Sequence, residues 1–203
     1  MLLPVHAQGT VGRTAARRAA TILVVGDSLS AEYGLKRGTG WVALLEQRLA
    51  KEGVRATVIN ASISGDTTSG GRSRLAALLR QHRPTQVIIE LGGNDALRGL
   101  PLAMTRSNLA EMARAAKAAG ARVLIAGMQL PPNYGRKYGD EFAALFADVA
   151  KAEGTALVPF LLKGVADGPD ATSMFQGDRI HPVEAAHPTM LDNVWPVLKP
   201  LLG

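Results

Sequence analysis

The 203-residue sequence contains no cysteine. That excludes a thiol nucleophile, a disulfide framework and any thiolate metal site. Aromatic residues are scarce, 4% of the chain, too few for a platform on which nucleic-acid bases stack. No apolar run approaches the roughly 20 residues of a membrane-spanning helix. No group of His, Asp and Glu has metal-ligand spacing, and the chemistry argued below requires no metal or organic cofactor. Acidic residues are outnumbered, 17 against 23 Lys and Arg, and the net charge of +6 permits attraction to anionic partners. Apart from Arg13, Arg17 and Arg18 the cations are scattered, as on a solvated surface. A nucleic-acid partner is therefore not expected, and contact with lipid surfaces is expected to be peripheral at most.

The length suits one domain with a sizeable core. Residues 1–20 read as a leader: Val5-His6-Ala7 resembles the small-residue cleavage site of a secretory signal, and Gly9 to Ala20 carry no apolar period. Either the segment is the tail of such a signal or it is a basic lead-in. The first reading predicts a periplasmic or secreted protein and the second a cytoplasmic one. Residues 21–203 contain no linker or internal repeat and read as a single domain, expected to act as a monomer.

Thr21 to Val25 is a β-branched apolar run that stops at Gly26-Asp27-Ser28, the pattern of a fully buried strand. Further strands are expected at Val54–Ile59, Gln86–Leu91, Arg122–Gly127 and Thr155–Pro159. Helices are expected at Trp41–Leu49, Ser73–His82, Thr105–Ala119 and Asp140–Glu153. A last helix from Thr189 should be kinked or split at Pro196. Strands alternating with helices of this length mean βαβ units and a parallel sheet covered on both faces.

In such a sheet every strand ends on one edge, so the loops after the strands converge. Ser28 follows the first strand, Gly65 the second, Asn94 the third and Gln129 to Tyr134 the fourth. Asp178 and His181 follow the fifth. Acyl transfer needs a nucleophile, a base, a group to orient the base, and donors for the developing oxyanion. Ser28 is the candidate nucleophile, His181 the base and Asp178 its orienting partner. The N–H groups of Ser28 and Gly65 and the Asn94 carboxamide are the candidate donors.

Each residue also has an ordinary structural reading. Ser28 or Ser30 could cap a helix, Asp178 could form an Asx-turn, Gly65 could serve a positive φ, and Asn94 or Asp95 could open a helix. His187 competes with His181 but lacks an acid three residues before it. His6 lies in the leader and His82 at the opposite edge.

Four blocks resemble those of the SGNH (GDSL) hydrolases, in the same order and spacing from residue 21 onward. They are Gly26-Asp27-Ser28-Leu29-Ser30, Ser64-Gly65-Asp66, Gly92-Gly93-Asn94-Asp95 and Asp178-Arg179-Ile180-His181-Pro182. Asn60 to Thr67, Glu90 to Asp95, Leu97 to Leu100, Leu130-Pro131 and Asn133 to Arg136 are more similar still to the bacterial group of acyl-CoA thioesterase I, lysophospholipase and arylesterase. The resemblance implies a three-layer α/β/α sandwich with a five-stranded parallel sheet, of the flavodoxin-like kind. It also implies hydrolysis of small-molecule acyl esters and thioesters, commonly in the periplasm, with Ala96 to Leu100 as a loop that closes over the acyl chain. A short-chain carbohydrate acetylesterase and a catalytically dead acyl-binding module are the alternatives. Substrate contacts are expected from Asp27, Leu29, Asp95, Leu97, Leu100, Leu130, Pro131 and Tyr134. The apolar loop candidates, which include Met128 and Phe142, point to medium or long chains. Two departures stand out: Arg179 where the group often has glycine, and His187 where glutamine is expected.

Overall fold

The first apolar run forms an interior strand, β1 (Ala20–Gly26), whose Ile22, Leu23, Val24 and Val25 are fully buried. A computed structural model describes residues 19–203; the leader expected over 1–20 lies outside them except for its last two residues. Strands β2 (Ala56–Asn60), β3 (Gln86–Glu90), β4 (Arg122–Ala126) and β5 (Ala156–Val158) complete one sheet in the order β2-β1-β3-β4-β5. Every pairing is parallel. Such an order reverses between β1 and β3, and the crevice outside the carboxyl ends of those two strands is where doubly wound sheets bind ligands.

Helices α1 (Trp41–Lys51) and α6 (His187–Leu198) pack together on one face. On the other, α4 (Leu102–Ala118) lies between α2 (Thr68–His82) and α5 (Arg136–Glu153). These are the expected three layers. A five-residue helix, α3 (Gly93–Leu97), follows β3, so the helix entry expected there exists, with Gly92 rather than Asn94 or Asp95 at its N-cap.

Two expectations need correction. Helix α2 starts five residues before Ser73, because the Thr67 hydroxyl accepts the Gly70 N–H and caps it. Gly71 in its first turn serves close packing: a Cβ there would stand 2.3 Å from Leu91 Cδ1. Helix α6 runs undivided through Pro196 to Leu198, then tightens into a 3-10 turn at Lys199–Leu202. Only one backbone donor is lost there, close to the helix end, while Val194, Trp195 and Leu198 keep the turn buried.

Candidate active site

The chain leaves β1 at Gly26 and turns through Asp27 to Tyr33 without entering a helix; α1 begins only at Trp41. Ser28 therefore caps nothing. Its Oγ lies 2.9 Å from His181 Nε2, and His181 Nδ1 lies 2.7 Å from Asp178 Oδ2. With Nδ1–H donating to the carboxylate, Nε2 is left to accept the Ser28 proton. Asp178 Oδ1 also accepts the N–H groups of Ile180 and His181, at 2.9 and 3.0 Å. The Asx-turn and the orienting role are thus held by one side chain. Hydrogen bonds from the His181 ring and from these backbone N–H groups hold the Asp178 carboxyl down at about 2. It stays ionised throughout the neutral range.

The turn carrying His181 is fastened to the rest of the site. Gln176 N–H donates to His181 O at 2.8 Å, while Gln176 Nε2 donates to Tyr33 O and Pro182 O. The Tyr33 ring rests on the imidazole, centroids 4.3 Å apart and tilted by 37°. Neither Tyr33 nor Gln176 follows a pattern that sequence reading could have caught.

On the other side, Gly65 sits at φ +78°, a left-handed conformation that glycine adopts without steric cost. The Asn94 carboxamide donates through Nδ2 to Asp27 Oδ2 at 2.9 Å. Among the described residues, the N–H groups of Ser28 and Gly65 and the second Nδ2 hydrogen of Asn94 have no acceptor. Arg98 Nη2 donates to the Gly65 carbonyl at 2.8 Å and ties the loop after α3 to this edge.

Beneath these groups lies a layer of buried acids. Asp27 Oδ1 accepts the Leu29 N–H at 3.0 Å. Glu90 ends β3 directly beside Gly26, and its Oε2 accepts from Ser30 Oγ at 2.7 Å and from Asp27 N–H at 3.3 Å. Burial is the largest cause that raises both acids, Asp27 to about 6 and Glu90 well above the usual carboxylate range. Asp95 accepts from the Thr68 N–H at 2.9 Å and from the hydroxyls of Thr68 and Thr105, while Asn108 Nδ2 donates to Thr68 Oγ1. It thus stitches α3 to the first turns of α2 and α4, where the α2 N-terminus favours a negative charge. Glu90 and Thr68 were missed. The available signal was a lone carboxylate closing an otherwise apolar strand.

The substrate contacts expected of Asp27, Leu29 and Asp95 do not hold, because all three side chains are buried and face protein partners. Phe142 is also withdrawn, packed edge-on against Phe146 in the core. A groove of about 490 Å³ runs away from Gly93, with Leu97, Met128, Leu130, Pro131, Phe160 and Ile180 among its walls. Its size is typical of small-molecule sites. Leu100 and Tyr134, expected to contact substrate, are not among its walls. Arg179 lines its rim at φ +58°, the backbone conformation for which glycine is the unstrained choice. His187 is buried, and its Nδ1 accepts the Trp41 N–H at the start of α1.

A hydroxyl, an imidazole and a carboxylate in hydrogen-bonded series, beside unengaged N–H groups and an apolar groove, form the constellation that acyl transfer through a covalent intermediate demands. Residues 24–188 match the GDSL-like Lipase/Acylhydrolase family, and the chain belongs to it. It is 56% identical over 184 residues to Esterase TesA of Pseudomonas aeruginosa, covering 91% of this chain and 90% of that one. Thioesterase 1/protease 1/lysophospholipase L1 of Escherichia coli is 41% identical over 188 residues, covering 93% and 88%. The crystal structure of the psychrotrophic esterase EstA from Pseudoalteromonas sp., inhibited by monoethylphosphonate, superposes with a TM-score of 0.84 at 38% identity, over 90% of this chain and 98% of that one.

Proposed function

We propose that the protein hydrolyses acyl esters and thioesters through an acyl-enzyme on Ser28. His181 takes the Ser28 proton as Oγ attacks the acyl carbonyl, and the tetrahedral oxyanion is received by the N–H groups of Ser28 and Gly65 and by Asn94 Nδ2. His181 then protonates the departing alcohol or thiol. Water, deprotonated by His181, attacks the acyl-enzyme, and the acid leaves as Ser28 recovers its proton. Asp178, ionised throughout, stabilises the imidazolium in both halves of the cycle. The observation that carries this reading is the unbroken series from Ser28 Oγ to His181 to Asp178, at 2.9 and 2.7 Å.

The apolar groove supports a preference for medium or long acyl chains. A chain-length series of p-nitrophenyl esters and acyl-CoAs tests this, with kcat/KM rising from acetyl toward longer chains; a maximum at acetyl would favour the carbohydrate acetylesterase instead. An organophosphonate should label Ser28 and no other residue. Ser28→Ala should fold and lose both labelling and turnover, and a variant that kept turnover would end the proposal. The Val5-His6-Ala7 stretch supports export to the periplasm or beyond. Recovery of an unprocessed Met1 from the cytoplasm of the native host would refute that address. Sedimentation of the purified chain tests the expected monomer.

A further inference from the structure

Exposed apolar side chains are distributed unevenly over this molecule. Among the described residues the large ones standing in solvent are Tyr33, Ile63, Leu97, Met104, Tyr134 and Ile180. Single exposed apolar residues are ordinary and scatter over a surface. Here all six stand on the carboxyl edge of the sheet: Tyr33, Ile63, Tyr134 and Ile180 in the segments after β1, β2, β4 and β5, Leu97 at the end of α3 and Met104 in the first turn of α4. None stands on the opposite edge. Ile63, Ile180 and Tyr33 are about half exposed, at 53, 50 and 49%. Leu97 and Ile180 also line the groove, so the apolar surface outside is continuous with the apolar surface within.

Both signs of charge lie beside these residues, but those left without a partner are mostly positive. Within three positions of the six lie Lys36, Arg98, Arg106, Arg136, Lys137 and Arg179. Of these, Lys36, Arg98, Lys137 and Arg179 have no acidic partner among the described residues, and Arg136 reaches Asp140 only at 3.9 Å. Every acid in the same windows is engaged. Glu32 accepts the Gly38 and Gly40 N–H groups, Asp66 pairs with Arg74, Asp95 is buried on Thr68, and Asp178 holds His181. Apolar tips interleaved with available cations fit the boundary between acyl chains and phosphate headgroups, where the tips enter the chains and the cations meet phosphate. No helix among the described residues is long and apolar enough to cross a membrane.

We infer that the carboxyl edge is a docking face for a lipid aggregate with anionic phosphate headgroups, which seats the mouth of the groove directly on the acyl chains. Docking is peripheral and reversible, since the apolar contribution comes from six separate side chains and the electrostatic part is screened by salt. The face surrounds the proposed catalytic groups but does not depend on them. Loss of docking would leave Ser28 labelling intact, and an unlabelled Ser28 would leave docking intact.

The test is co-sedimentation of the purified protein with vesicles of phosphatidylcholine alone and of phosphatidylcholine with phosphatidylglycerol, at low and high salt. Binding is expected to the mixed vesicles and to weaken as salt rises. Lys36→Glu with Lys137→Glu, and separately Ile63→Ser with Tyr134→Ser, should each reduce it at least about tenfold while thermal melting stays that of the parent. Lys51→Glu with Arg80→Glu makes the same change of charge on the opposite edge and should leave binding within about twofold. No binding to either vesicle overturns the inference. So does an equal loss in the opposite-edge pair, which would reduce the effect to net charge, or full binding by the Ile63/Tyr134 pair, which would remove the apolar contribution. Dimerisation through this face without vesicle binding would give the surface to a second copy of the chain instead.

Discussion

Asp27, Glu90 and Asp95, which underlie the nucleophile turn and the Asn94 carboxamide, are at most 3% exposed, whereas Asp178, which holds the imidazole, stands in an exposed turn. The first group sits at and just beyond the carboxyl ends of β1 and β3, which lie in register with Gly26 beside Glu90. The second hangs from a long irregular segment fastened by Gln176 and by an isolated bridge between Phe175 and Pro182. An unpaired buried carboxylate is costly, so the many bonds that pair Asp27, Glu90 and Asp95 tie the geometry of the oxyanion side to folding. The acid–base side has few such obligations. It can be altered without cost to the core, and its chemistry depends on a handful of local hydrogen bonds.

If this contrast is right, substitutions on the exposed side should separate activity from stability. Asp178→Asn removes the charge that stabilises the imidazolium and leaves the ring free to take the wrong tautomer. It should lower kcat by up to about 10⁴-fold while the melting temperature stays nearly unchanged. A large fall in melting temperature would break the distinction. Asn94→Ala removes one of the proposed oxyanion donors and should cost about 10²–10³ in kcat with little change in KM. Because Asp27 then loses a partner in a buried site, this variant should also lose stability, on the order of 1–3 kcal/mol by urea unfolding.

The same contrast explains what could be read from the sequence. Ser28, Gly65, Asn94, Asp178 and His181 were legible because a parallel sheet forces its loops to one edge, so residue type and order carry the spatial information. The interior strands β1, β3 and β4 were legible because a strand buried on both faces is apolar nearly throughout, whereas the edge strands β2 and β5 are only partly buried and showed through their place between helices. Asp27, Leu29 and Asp95 were misjudged for a physical reason: neighbours of a reactive residue in sequence alternate between facing the crevice and facing the layer beneath. Whether a carboxylate faces substrate or a buried N–H depends on partners such as Thr68 and Leu29, distant or adjacent, that no local pattern marks. Phe142 was counted among the apolar loop residues, but it lies on α5 one turn before Phe146, on the face that the helix buries in the core.

Asp95→Asn sharpens the comparison from the buried side. It leaves the shape but removes the charge that accepts from Thr68, Thr105 and the α2 N-terminus, and it should cost on the order of 2–3 kcal/mol in urea unfolding. Turnover should fall only about tenfold, because Asn94 keeps its own bond to Asp27. A variant with unchanged stability and abolished turnover would mean that Asp95 takes part in the chemistry.

The smallest effect is expected at Glu90, and it tests the state of the buried acids directly. Burial and the neighbouring Asp27 raise Glu90, so the folded protein holds a proton there that the unfolded chain releases above about pH 4.3. Where the native state binds the extra proton, stability falls as pH rises, by up to about 1.4 kcal/mol per pH unit, until the folded-state pKa is passed. Asp27, raised to about 6, contributes a slope of the same sign between its unfolded value near 3.9 and that point, so the comparison is read above pH 6. Glu90→Gln reproduces the protonated carboxyl: its amide donates to Asp27 while its oxygen accepts from Ser30 and the Asp27 N–H. The variant should keep turnover within about threefold, yet its unfolding free energy should be flatter from pH 6 to 8 than that of the parent, the gap widening with pH. Parallel profiles would mean that Glu90 is ionised in the folded protein. The layer beneath the oxyanion donors would then hold its geometry against two buried negative charges rather than through one retained proton.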